Sequence, residues 1–364
     1  MRLQFRIQPS WKMLLLLGAV ALFNLQANAE DISLKSAGPI AFGPDGLLLV
    51  SDPMEATVYA IETGDNEGST EGVKVELDDV RSKVASMMGA KAKEVRINDL
   101  AVNPINGHAY LSVSRGSGEK EISTILMVDP KTNTMSEVEL KGKKFTKTQL
   151  PNPADNKQTR RGNQRMMSIT DLAFIDGQVY VAGLSNEEFA SNLRAINYPF
   201  TESNSGANIE IYHGAHGKFE TRSPIRTFAA MKIDDEVNLL AAYTCTPLVR
   251  IPISDLKPET KVKGTTIAEL GNRNRPLDMV VYQKDDKDFA LMANSTRGVM
   301  KIDLATAGSQ AELTERVRGT AGVPYETVKE LTGVMQLDGL SESHGVVLVR
   351  NKNGQEDLKT ILLP

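Results

Sequence analysis

The chain has 364 residues, 41% hydrophobic and 24% charged, with a formal net charge of −4. This balance gives no basic field for nucleic acid, and the length allows a large core. Its one cysteine, Cys245, excludes an internal disulfide, and the lack of a C-x-x-C-H motif excludes covalent haem.

The first segment, "MRLQFRIQPSWK", carries two arginines and a lysine, and a short apolar run, "MLLLLGAVALFNL", follows. "QANA" then ends in an A-x-A pattern. This order predicts a secretory signal peptide over residues 1–29, cleaved after Ala29, which leaves residues 30–364 as one periplasmic or secreted domain. The apolar run is too short to span comfortably, so no membrane span is expected after cleavage. The only tryptophan, Trp11, falls in the segment to be removed.

The rest reads as a repeat of strands. "EDISLKS" is a lone strand. "GPIAFGPDGLLLVSDPMEATVYAIETG" places two apolar strands around Asp45-Gly46, a turn that demands positive φ, and a third strand follows. "DDVRSKVASMMGAKAKE" predicts a helix, with Val80, Val84 and Met87 at helical spacing behind an Asp cap. "NDLAVNPINGHAYLSVSRGSGEKEISTILMVDP" repeats the strand plan around Asn106-Gly107. A loop from Lys141 to Arg165 then holds eight basic residues against a single acid, Asp155. It would attract an anionic ligand or polymer, or simply be solvated, and its few aromatics argue against a nucleic-acid platform.

"TDLAFIDGQVYVAGLS" turns at Asp176-Gly177, and "VNLLAAYTCTPLVRIPISDL" and "LDMVVYQKDDKDFALMANSTRGVMKIDL" continue the series with other turns. "SQAELTERV" opens with a capping box from Ser309 to Glu312 and predicts a helix. "GVMQLDGLSESHGVVLVRNKNGQEDLKTILLP" ends the chain three strands into its unit. About six units result, so the expected fold is an all-β six-bladed β-propeller with minor helices in its loops. Closure is assigned to the N-terminal strand just after Glu30. A seven-bladed ring is the alternative, because the third unit is long.

These repeats resemble exported β-propellers of the NHL, YVTN and gluconolactonase-like group over nearly the whole mature chain. "RINDLAVNPINGHAYLS" is the closest local match. It is similar to the strand in gluconolactonase-like propellers where an Asn at the channel helps bind a divalent metal. The resemblance also implies a Glu ligand in the first blade, and "SAGPIAF" has none. The tryptophan docking signatures of quinoprotein propellers are missing, which speaks against a redox role.

Asp99, Asp171 and Asp278 take the same place in "NDLAV", "TDLAF" and "LDMVV". The first strand of each propeller blade lines the central channel, so these carboxylates should face one another. Two roles fit. They lock blades together by accepting backbone N–H groups, or Asn98, Asp171 and Asp278 hold a divalent cation such as Ca²⁺, with Asp99 as a candidate catalytic base.

The long insertions are expected on one face of the ring, that of the turns between second and third strands. "SNEEFASNLRAINYPFTESNSGA", the basic loop and the Val80 helix are assigned there. The turns on that face carry Asp52, Arg115, Asn186, Cys245, Asn294 and Arg297 as candidate ligand-binding residues. His213 and His216, with Glu210 nearby, form a His-x-x-His pair across a hairpin turn. No third ligand follows at a recognised spacing, so they read as surface.

The leading expectation is an exported, non-catalytic, monomeric propeller that binds a small molecule or protein on its insertion-bearing face, with no certain cofactor. The runner-up is a metal-dependent, lactonase-like hydrolase with a cation in the channel.

Overall fold

The computed structural model describes residues 31–364 except Arg161 and Thr246. The expected signal peptide lies outside the described residues. Hairpin turns are written locally: Asp45 and Gly46, Asp176 and Gly177, Asp234 and Asp235, and Asp285 and Asp286 are consecutive positive-φ pairs. Such pairs give the tight turn whose twist matches antiparallel strands. At Asn106-Gly107 only the glycine is left-handed. There the Asn103 and Asn106 side chains accept the N–H groups of Ile105 and His108 and shape a longer turn.

The strands form six antiparallel blades, which we number I to VI by their innermost strands: Ile40–Phe42, Val95–Val102, Asp171–Ile175, Ile225–Ile233, Pro276–Lys284 and Val334–Gly339. The architecture is a six-bladed β-propeller, not a seven-bladed one. The extra length of blade III goes into a hairpin of Ala207–His213 with Lys218–Glu220, and into Lys261–Lys263, which pairs parallel to the first of these.

Ring order differs from chain order. The inner strand of blade II packs between those of blades VI and I, and the inner strand of blade I packs next against that of blade III. Six separate apolar clusters mark the six interfaces. Val102 and Leu348 belong to the one joining II to VI, Tyr110 and Leu48 to the one joining II to I, and Leu49 and Val181 to the one joining I to III.

Two blades therefore borrow their outer strands. Phe145–Gln149 pairs with Thr57–Glu62 and completes blade I. Glu76–Leu77 pairs with Glu356–Leu362 and completes blade VI. This corrects the expected closure by the segment after Glu30. That segment is not a strand. Its Lys35 and Ser36 N–H groups and the Ser36 hydroxyl donate to the wholly buried carboxylate of Asp52. The closing strand is instead anchored by Val75 N–H to Thr360 Oγ1, 2.8 Å, and by buried Leu77.

Helix α1 forms over Val80–Met87, burying Val80 and Val84 while Met87 stays exposed, but the expected Asp cap is absent: the Asp79 side chain accepts no N–H of the first turn. The helix expected at Ser309 does not form. Leu313 N–H bonds to the Thr266 carbonyl and Val317 N–H to the Gly214 carbonyl, so neighbouring blades hold this stretch open. Tertiary partners outweigh a local cap. Of the three insertions expected on one face, α1 and residues 150–170 lie in connections from outer to inner strands. The third is corrected: Ser191–Asn197 is the third strand of blade III, and residues 198–206 leave from the opposite end.

Candidate functional site

The channel opens on the face of these connections as a funnel of about 390 Å³. A repeated backbone irregularity shapes it. In blades II, IV, V and VI the pairing of the first two strands skips one residue, and the skipped residues are Asn98, Arg226, Leu277 and Met335. All four line the funnel. A bulge bends its strand and re-aims a side chain, so four blades use one device to point a residue at the mouth.

One residue past the bulge stand Asp99 and Asp278, and Asp171 opens the unbulged inner strand of blade III; all three also line the funnel. Asp171 accepts Leu172 N–H at 2.8 Å and, from blade IV, Phe228 N–H at 2.7 Å. Asp278 accepts Met279 N–H at 2.8 Å and, from blade VI, Leu337 N–H at 2.9 Å. Asp99 takes Ile40 N–H of blade I at 2.8 Å. Deeper in, Asp338 accepts Val102 N–H of blade II and Gly339 N–H, both at 2.7 Å. Each carboxylate thus stitches its blade to the next.

Burial pushes all four carboxyls up, Asp171 to about 7 and Asp338 to about 6. Asp99 and Asp278 are carried well above the ordinary range by burial and by their charged neighbours in the ring. These four form no trio whose oxygens lie within 4.8 Å of one another among the described residues. One calcium ion with oxygen ligands at about 2.3–2.6 Å is therefore not held directly by three of them. The Asn98 amide is engaged as well, donating to the Ala37 carbonyl and Ser114 Oγ.

The rim is basic. Arg81, Arg96, Arg226 and Arg275 line it. Arg81 forms an ion pair with the buried Glu356, and Arg96 with Glu121. Among the described residues Arg226 has only the Met167 sulfur, 3.7 Å from its Nη1, and its buried Nε has no partner. Burial first, and then the positive charge of Arg275, lower the Arg226 guanidinium to about 10. No carboxylate among the described residues forms an ion pair with Arg226 or Arg275.

The candidate residues on the turns sit outside the funnel. Asn186 and Arg297 are exposed, and Arg297 donates to the Asn272 carbonyl. Asn294 is buried and caps its turn by accepting Thr296 and Arg297 N–H groups. Cys245, left-handed at φ 63°, donates its N–H to the Asn274 carbonyl, and Arg115 donates to the Gly89 carbonyl. Asp52 secures the N-terminal segment, as described above. Arg226 and Arg275 were not singled out in the sequence. Their signal is a basic residue just before the blade's first core positions, in "IRTF" and "RPLD", and only the bulge register gives it meaning.

No family model and no curated protein sequence matches the chain. Among solved structures it is similar to the PQQ-bound aldose sugar dehydrogenase of Streptomyces coelicolor, at 14% identity over 90% of this chain and 94% of that one, with a TM-score of 0.38. It is also similar to a structural-genomics protein assigned as a gluconolactonase, at 9% identity over 92% and 90% of the two chains, with a TM-score of 0.33. A glycoside hydrolase and a plexin extracellular region also stand among its matches. At such identities and TM-scores the likeness carries no argument about chemistry.

Proposed function

We propose that this protein is an exported, non-catalytic β-propeller that binds a small anionic molecule in the arginine-rimmed funnel. The observation that carries the reading is Arg226. A bulge turns its guanidinium to the mouth, partial burial lowers it to about 10 with Asp171 acting on it only through charge, and no carboxylate among the described residues forms an ion pair with it. A partly buried cation without an ion pair is costly, and an anionic ligand with hydrogen-bond acceptors offsets that cost. Arg275 adds a second positive charge at the same mouth. The carboxylates below serve as blade locks, with both oxygens of Asp171, Asp278 and Asp338 already accepting backbone N–H groups.

The second reading is a metal-dependent, lactonase-like hydrolase. The raised Asp171 carboxyl, near 7 in the channel, favours it as a proton-transfer group. A thermal-shift panel separates the two. Citrate and inorganic phosphate should stabilise the protein where glucose does not, and calcium should neither stabilise it nor confer hydrolysis of simple lactones. Calcium-dependent lactone hydrolysis would replace the first reading with the second.

A further inference from the structure

The hairpin of Ala207–His213 and Lys218–Glu220, on the outer part of blade III, brings two histidines and a carboxylate together. In its register Ile211 faces Glu220 and His213 faces Lys218. His213 and Glu220 therefore stand diagonally on one face of the ribbon, while Tyr212 and Phe219 pair edge-on on the other. The N–H groups of His216 and Gly217 both bond to the His213 carbonyl, and this tight turn folds His216 back over the same face.

His213 Nδ1 lies 2.9 Å from Glu220 Oε2, and His216 Nδ1 lies 2.6 Å from Glu220 Oε1. The imidazole centroids are 3.9 Å apart. Among the described residues this is the one group of His, Cys, Asp or Glu side chains whose donor atoms all lie within 4.8 Å of one another. Hydrogen bonding within the hairpin leaves something unexplained. His213 is only 2% exposed, yet its Nε2 has no partner among the described residues. Beside the turn, the buried Glu269 of blade IV accepts Gly214 and Ala215 N–H groups with Oε1, and its Oε2 has none.

We propose that His213, His216 and Glu220 bind a divalent transition-metal ion of the zinc class. Two imidazole nitrogens and one carboxylate oxygen are a common zinc donor set, and imidazole suits borderline metals over calcium or magnesium. The His216 side chain, 46% exposed, gives an ion access from solvent. A bound ion would be held by all three side chains at once. It would also fasten the turn whose Gly214 carbonyl holds Val317.

The test is calorimetric titration of the tag-free, chelator-treated protein with zinc chloride, paired with melting curves. Saturable binding of one ion per chain is expected, with a higher melting temperature. His216→Ala and Glu220→Gln should each weaken binding by about tenfold or more and abolish the thermal shift. His344→Ala, on blade VI, should leave both unchanged. His216 is exposed, so its removal spares the fold and decides the matter even where Glu220→Gln folds poorly. Absence of saturable binding, or binding unaltered in His216→Ala, would overturn the proposal.

Discussion

Replacing Asp171 with Asn probes the blade locks. The carboxylate accepts one N–H at each oxygen, from Leu172 and from Phe228 of the next blade. Asn keeps one acceptor and turns an NH2 group toward the other donor, leaving a buried N–H unpaired at a cost of about 1–3 kcal/mol. The wild type carries an opposing cost that depends on pH. Burial lifts the folded carboxyl to about 7 from an ordinary value of 3.8. The native state then holds a proton that the unfolded chain has lost, so stability falls as pH rises from about 4 to about 7. At about 1.4 kcal/mol per unit, the wild type should lose up to about 3 kcal/mol from this group between pH 5 and pH 8. The Asn variant has no such group. Urea unfolding should therefore show Asp171→Asn clearly destabilised at pH 5, with the deficit shrinking or reversing at pH 8. A variant as stable as wild type at pH 5, or a deficit equal at both pH values, would refute the reasoning.

Leu77→Ala should cost about 2–4 kcal/mol in urea unfolding, because Leu77 is buried where the borrowed strand closes blade VI. Glu356→Gln should cost about 3 kcal/mol by the same measurement. Glu356 is buried and anchors both Arg81 of α1 and Arg350. N-terminal sequencing of the exported protein should begin at Glu30, and recovery of the intact chain in the cytoplasm would contradict export.

The propeller was legible because its signals are local. Asp-Gly pairs fix turns of one hand, and apolar alternation around them supplies the strands. Asp99, Asp171 and Asp278 could be aligned because each holds the same register place in its strand. Blade order was not legible, since nothing local tells Glu76–Leu77 to pair with a strand nearly three hundred residues on. The Ser309 helix failed for the same kind of reason: its backbone groups found partners in distant strands. The funnel was only half visible. Its carboxylates follow the strand period, whereas Arg226 sits on a bulge, where the period breaks and pattern reading loses the side chain. The His213 and His216 pair was seen, but its third donor, Glu220, comes from across a hairpin whose register had to be known.

The central claim is that Arg226 and Arg275 make the funnel an anion site. Its most direct test is a calorimetric titration with citrate, at low and at moderate salt, of wild type, Arg226→Met and the exposed-turn control Arg297→Met. The account predicts saturable binding by wild type and by Arg297→Met, weakened by salt. Loss of charge-assisted hydrogen bonds of about 1.5–3 kcal/mol predicts affinity about ten- to a hundredfold lower in Arg226→Met. Equal affinity in Arg226→Met and wild type, or no binding by the wild type, would contradict it.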